Sequence, residues 1–304
     1  MSSLTVTAPA KINLCLGVGA RRPDGFHPLA TVYQAIGLYD RVTVSPADDL
    51  SLEVRADDRL CVAGVPTDGA NIAVRAALLL ARHHGVERGA HIVLDKGIPV
   101  AGGMAGGSAD AAATLLACDA VWGLATPRAE LAGLAAELGS DVPFALVGGT
   151  AIGSGRGEVV TPLMTRGTYW WVVLESAQGL STPRVYAEFD AMHAGAEVGD
   201  PEIPDALIAA LLGHDVSDLG AVLSNDLQAA ALRLRPELAD VLAVGIAHSA
   251  HGAVLSGSGP SCLFLCANRS HAQRVAGGLG AEGLGPVSFA PGPVRGAHAT
   301  ASEG

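Results

Sequence analysis

The sequence predicts an α+β protein of two domains, an N-terminal unit over residues 1–160 and a C-terminal unit over 161–304. Three observations carry this. In the first half, strand-like runs cluster ahead of helix-like runs and do not alternate with them as βαβ units would. A glycine-rich segment, GGTAIGSGRG at 148–157, is followed by a fresh strand–helix series beginning at YWWVVLESA. Finally, 304 residues with 49% hydrophobic and 16% charged content are enough for two cores and exclude disorder for the bulk of the chain.

LTVTAPAKINLCLGVG alternates apolar and polar residues and reads as a strand, or a strand pair broken at Pro9. ARRPDGFHPL is a turn-rich connection, and ATVYQAIGL, DRVTVSP and LSLEVR read as three further strands. Asn71 caps a helix, NIAVRAALLLARHH, that Gly85 closes. AHIVLDKGIPV is a strand leading into PVAGGMAGGSADAA, with a helix from about Ser108 to Trp122 closed by Gly123. Thr126 as N-cap and Pro127 at N1 start the next helix, which ends near Gly139. GAVLSGSGPSCLFLCAN supplies strands to the second unit, and GAHATASEG reads as a frayed tail.

Composition narrows the function classes. No apolar run spans a bilayer and no signal-peptide pattern opens the chain, so a soluble, cytoplasmic protein without a membrane partner is expected. The net charge of −11, with no cluster of Lys and Arg, argues against nucleic-acid partners. An anionic substrate would need local positive potential. The cysteines at 15, 61, 118, 262 and 266 form no CxxC pair and read as buried thiols of a reducing compartment. Of 19 Lys plus Arg, two are lysines, Lys11 and Lys96, which suggests sites where a compact ammonium is wanted.

Five segments offer chemistry, each beside a plainer reading. The loop of Pro99, Val100, Ala101, Gly102, Gly103, Met104, Ala105, Gly106, Gly107, Ser108 and Ala109 is neither a Walker A nor a Rossmann fingerprint. What remains is strand, glycine loop and helix, whose first-turn N–H groups suit a phosphate. Ser108 either touches a phosphate or Mg²⁺, or simply caps the helix, with Asp110 on its dipole. Lys11 and Asn13 share one face of a strand, lining a cleft or a solvated edge. In GSDVPF, Asp141 is a helix cap or a rigidly held base. Asp24-Gly-Phe26-His27 is a surface turn or a stacking site for a planar ligand, and Ser256-Gly-Ser-Gly-Pro260 a hairpin link or a second cleft wall.

Taken in order, APAKINL, DGFH, PVAGGMAGGSADAA, GSDVPF and LSGSGPSC resemble the GHMP small-molecule kinase superfamily over about residues 8 to 297. The resemblance implies an N-terminal domain like the second domain of ribosomal protein S5 and a ferredoxin-like C-terminal domain. It implies phosphorylation of a hydroxyl on a cytidine diphosphate-linked polyol by ATP with Mg²⁺. By position, Asp141 is then the base and Lys11 the cation beside the acceptor hydroxyl, and residues 99–109 are the ATP phosphate loop. Asn13, Phe26 and His27 fall on the cytidine side, Tyr33 and Tyr186 near the cytosine, and Asn71 and Lys96 near the adenine. Ala101, Ala105 and Ala109 stand where many relatives have Gly, Gly and Ser; a positive φ at Ala105 would strain it. A kinase for mevalonate, homoserine or a sugar, an S5-like RNA-binding module and a nicotinamide oxidoreductase are the alternatives.

Overall fold

The computed structural model describes residues 3–56, 60, 62, 64–100, 102–176 and 178–300. Its first half is organised by a long antiparallel ribbon of β1 (Leu4–Val18) and β2 (Leu29–Ala47). The expected break at Pro9 and the expected division of residues 30–47 into two strands are both replaced by continuous strands. The missing N–H of Pro9 falls at a register shift between Pro9 and Ala10, and a second shift lies between Asn13 and Cys15. Bulges of this kind absorb a proline without ending the strand.

β3 (Ser51–Ala56) runs parallel to β4 (Gly89–Lys96), which pairs with β2. Between them lies α1 (Ile72–His84), with the cap Asn71 and the left-handed Gly85 at the ends the sequence marks. α2 (Gly106–Trp122) starts two residues before the expected Ser108 and closes on Gly123. α3 (Arg128–Leu138) has Pro127 at its N-cap in place of Thr126, whose hydroxyl meets His84 Nε2 at 2.9 Å instead. α4 (Val142–Val147) follows, then the hairpin β5 (Thr150–Ser154) and β6 (Val159–Pro162), attached to β2.

The second sheet begins at β7 (Tyr169–Leu174). Five helices and a short strand follow: α5 (Thr182–Met192), α6 (Asp205–Leu212), α7 (Val216–Ala221), β8 (Ser224–Asn225), α8 (Leu227–Leu234) and α9 (Glu237–Ala247). β9 (Gly252–Leu255), β10 (Cys262–Cys266), α10 (Arg269–Ala281) and β11 (Val287–Gly292) complete an antiparallel sheet of order β11-β7-β10-β9. Numbered within this unit the order is 4-1-3-2 in a βαββαβ frame, which is the ferredoxin-like arrangement.

The chain does not stay in the second sheet. β8 pairs with β1 in parallel, and β12 (His298–Ala299) pairs with β1 from its outer side. The expected frayed tail is therefore anchored as far as Thr300, whose N–H donates to Thr5 O at 3.0 Å; residues 301–304 lie outside the described residues. Side chains of both sheets merge in one core, where Trp171, Val173, Leu263 and Leu265 join Ile12, Leu14 and Ile36. The Trp171 indole donates to Gln34 Oε1 on β2 at 2.9 Å, fixing one sheet on the other. Burial pushes the Cys15 thiol up to about 11 and those of Cys118, Cys262 and Cys266 to about 12; Cys61 lies outside the described residues. Among the described residues no helix is long and apolar enough to cross a membrane.

Candidate active site

A cleft of about 630 Å³ opens between the two sheets. Its floor comes from β1, where the two-residue period sends Lys11 and Asn13 to one side. Strands flank β1 on both edges, so the solvated-edge reading fails, and Lys11 is 6% exposed. Lys11 Nζ donates to Asn13 Oδ1 at 3.0 Å, Asn13 Nδ2 donates to Thr31 Oγ1 at 2.7 Å, and that hydroxyl donates to Cys15 O at 2.6 Å. This chain of bonds holds the ammonium in place, 3.4 Å from Asp141 Oδ2 and 5.1 Å from the centre of the Tyr33 ring.

Asp141 immediately precedes α4, yet its carboxylate makes no capping bond. It faces Lys11 and the cleft, so the cap reading loses its main support. Burial, and then the Asp141 charge, drive the Tyr33 phenol well above its ordinary range; the same two causes push Tyr186 up to about 12. Both phenols are neutral donors beside a carboxylate.

The glycine loop meets the cleft at its other side. Ala105 precedes α2 with φ 57° and ψ 34°, the strained left-handed conformation, and no side chain caps the helix. Ser108 lies inside the first turn and its hydroxyl makes no hydrogen bond to the described residues, so the first-turn N–H groups face outward without a side-chain acceptor. Two of the glycines have a different cause. A Cβ at Gly103 would run into the Ser256 carbonyl, and one at Gly102 would lie 2.8 Å from Ser261 Oγ. The SGSGP turn packs directly on the loop, with Ser256 Oγ donating to Gly103 O at 3.0 Å. That turn is a wall of the cleft, pinned by Asn225 Nδ2 donating to Gly257 O at 2.7 Å. Met104 O receives the Lys11 N–H at 3.1 Å, tying loop to floor.

At the far end lies the DGFH turn. His27 is buried, with Nδ1 2.9 Å from Gly19 O and Nε2 3.5 Å from Asp190 Oδ1, and its ring is 5.0 Å from that of Tyr186. Phe26 is 49% exposed, and the Arg156 guanidinium lies 4.8 Å from its ring centre.

The cleft thus brings together Lys11, Asn13, Phe26, His27, Tyr33, Asp141 and Tyr186 with Gly103 and Ala105 of the loop. Met104 and Ala109 point into the core, Pro99 is buried and Val100 exposed, and Ala101 lies outside the described residues. The two residues expected on the adenine side, Asn71 and Lys96, are not part of this cleft's lining. The Asn71 side chain accepts from Ala73 N at 2.9 Å and donates to Pro66 O at 2.7 Å, so both of its ends are engaged by backbone. The Lys96 ammonium turns inward to Asp40 and, at 2.6 Å, Asp110. Sequence reasoning missed Arg21, Arg156, Thr182 and Asp190, which also line the cleft, together with Ser140 of GSDVPF and Ser258 of the SGSGP turn. Arg156 sits in the glycine-rich 148–157 segment, where a lone arginine between glycines is the signal that could have been followed.

An S5-like half and a ferredoxin-like half, joined over an uncapped helix and a Lys–Asp pair, define a small-molecule kinase of the GHMP class. The chain belongs to this family: residues 71–149 match the GHMP kinases N terminal domain and residues 207–284 the GHMP kinases C terminal domain. Among its relatives, the 4-diphosphocytidyl-2-C-methyl-D-erythritol kinase of a Nocardioides species is 56% identical over 96% of this chain and 98% of that one. The protein of the same name from Thermobifida fusca is 53% identical over 97% and 98%. A crystal structure of 4-(cytidine 5'-diphospho)-2C-methyl-D-erythritol kinase superposes with a TM-score of 0.76 at 33% identity, covering 96% of this chain and all of that one. A homoserine kinase from Cytophaga hutchinsonii, at TM-score 0.73 and 20% identity, shares the fold.

Proposed function

We propose that the chain transfers the γ-phosphoryl group of ATP to the 2-hydroxyl of 4-diphosphocytidyl-2-C-methyl-D-erythritol, as a soluble cytoplasmic enzyme using Mg²⁺. The observation that carries this reading is the Lys11–Asp141 pair at 3.4 Å in the same cleft as the buried His27 and its aromatic neighbours. A kinase for mevalonate, homoserine or a sugar has no nucleobase to seat, and relatives at 56% and 53% identity carry the cytidine-specific name.

Phosphoryl transfer asks a protein mainly for positioning and charge stabilisation. Asp141 takes the proton of the acceptor hydroxyl as that oxygen bonds to the γ-phosphorus, while the bond to the β-bridging oxygen breaks and ADP leaves. Lys11 stands beside Asp141 and favours negative charge on the attacking oxygen. The N–H groups at the start of α2 receive phosphate oxygens, with the helix dipole behind them. Phe26 and Tyr186 supply ring surface, and His27 a ring nitrogen, to the cytosine.

Mg²⁺ keeps several waters and takes few protein oxygens when phosphates complete its shell. The Ser108 hydroxyl, without a hydrogen bond among the described residues, fits that demand and would hold it. The ion supplies charge neutralisation on the phosphates.

The test is ADP release by the purified chain with the cytidine substrate, mevalonate and homoserine in parallel. Turnover with the cytidine substrate alone is expected. Asp141→Asn should lower kcat by about 10²–10⁴-fold with little change in the KM for ATP. Turnover confined to mevalonate or homoserine would overturn the substrate assignment.

A further inference from the structure

Of the two arginine forks that line the cleft without a task in the proposed roles, one is half-buried on an aromatic ring. Three cations line the cleft: Lys11, Arg21 and Arg156. Lys11 is engaged by Asn13 and Asp141, and Arg21 is exposed, with its Nε donating to Gly25 O at 3.2 Å. Arg156 is half-buried and differs from both. Its Nε lies 3.5 Å from Glu158 Oε1, and its guanidinium donates no hydrogen bond to any described residue. Among the described residues neither Nη group has a hydrogen-bond partner, on a fork whose geometry suits two phosphate oxygens at once.

Position adds to this. The guanidinium rests on the Phe26 ring, at the base end of the cleft. Its chain neighbour Gly157 packs on Tyr33, since a Cβ there would collide with the phenol oxygen. The Tyr33 ring in turn faces Lys11 Nζ, at the reacting end. The Arg156 turn thus adjoins Phe26 on one side and, through Gly157 and Tyr33, the Lys11 end on the other. It is fixed there: the Arg156 N–H donates to Glu158 Oε2, and Gly155 O accepts from Leu29 N at 2.8 Å. In a chain of net charge −11, an anionic ligand in this stretch depends on such a local cation.

We infer that Arg156 is a binding residue for the diphosphate bridge of the acceptor substrate, its Nη groups donating to phosphate oxygens while its face stays on Phe26. This rests on the cytidine substrate of the proposed function. It assigns the middle of that substrate, which neither the base-stacking nor the proton-transfer residues reach.

Calorimetry with cytidine, CMP and CDP as probes tests it, on the wild-type chain and on Arg156→Gln and Arg156→Lys, each checked for an unchanged thermal midpoint. The wild type should bind CDP well above cytidine. Arg156→Gln should weaken CDP on the order of 10–100-fold and cytidine by less than about threefold, the range of a lost charge-assisted pair. Arg156→Lys should recover part of that loss, because the charge returns without the fork. In turnover, the KM for the cytidine substrate should rise in parallel while kcat and the KM for ATP hold. Equal weakening of CDP and cytidine by Arg156→Gln would overturn the inference and reduce Arg156 to packing on Phe26. A wild type that binds neither CDP nor cytidine would overturn the proposed substrate itself, a result separable from the first.

Discussion

Replacing Lys96 with methionine is expected to destabilise the protein strongly without touching the cleft. The ammonium joins the end of β4 to β2 through Asp40 and to α2 through Asp110, and its side chain is 3% exposed, with those carboxylates at 0% and 4%. Asp40 does more than pair: its Oδ1 accepts from Gly97 N at 2.7 Å and Ile98 N at 2.8 Å, the first residues on the way to the glycine loop. Methionine nearly conserves volume, so the cavity term is small. What remains is two buried carboxylates without a counter-charge. Removing one partner of a buried ion pair costs about 3–5 kcal/mol. At about 2–4 °C per kcal/mol for chains of roughly this size, the thermal midpoint should fall by roughly 6–20 °C at pH 7. In the variant one carboxyl must take up a proton to stay buried, so the gap to wild type should narrow at pH 5. Thermal and urea unfolding at both pH values, with the KM for ATP measured alongside, check this. A midpoint within about 2 °C of wild type, with weakened ATP binding, would refute the argument and favour a direct role for Lys96 at the adenine.

Asp110→Asn tests the same cluster through pH. Burial, and then the Asp40 charge, raise the Asp110 carboxyl well above its ordinary range, so its contribution is fully present below the unfolded value and is lost as pH rises toward the folded one. Wild type should therefore lose stability relative to Asp110→Asn between pH 4 and neutrality, and a gap that widens in the other direction would contradict this sign. Lys11→Arg should fold and bind ATP but turn over on the order of 10²-fold more slowly, because a planar fork cannot occupy the space between Asn13, Tyr33 and Asp141 without displacing one of them. Phe26→Ala and His27→Ala should each raise the KM for the cytidine substrate far more than that for ATP; steady-state kinetics on both substrates decide it. Ala105→Gly should leave stability within about 0.5 kcal/mol, relief of left-handed strain offsetting the added unfolded-state entropy, whereas Ala105→Val should cost about 1–3 kcal/mol by urea titration.

The parts legible in the sequence are those with local causes. Asn71 and Gly85 mark the ends of α1, and Gly123 the end of α2, because caps and left-handed closures are chosen by the residue itself. Lys11 and Asn13 share a face by strand period alone, and the order of the motifs carries the family. What stayed hidden depends on partners far along the chain. Asp40 lies 56 residues from Lys96, so two scarce lysines pointed to compact-ammonium sites but not to which carboxylates Lys96 meets. Gly102 and Gly103 read as room for phosphate, while the SGSGP turn some 150 residues away also demands them. Pro9 read as a break because nothing local announces that β1 can bulge there. Arg156 could not be placed on Phe26 without the β5–β6 hairpin folded against β2.

These long-range contacts explain how an acidic chain can serve two anionic substrates. A basic surface would attract phosphates without orienting them, and at physiological salt its reach falls off within about 8 Å. Here the positive groups are few and set in low-dielectric surroundings: the uncapped turn of α2, the buried Lys11 and the half-buried Arg156. Each is fixed by a separate element, yet the shared core and the Trp171–Gln34 bond hold those elements on one frame. The frame also keeps Asp141 3.4 Å from Lys11 without lending it to the helix as a cap. Rate in phosphoryl transfer depends on such placement more than on total charge, since a displacement of about 1 Å at the reacting atoms costs on the order of 10²-fold. The buried Lys96 cluster serves this end indirectly: by anchoring the last residues of β4 and the start of α2 to β2, it fixes both ends of the glycine loop proposed to meet the phosphates.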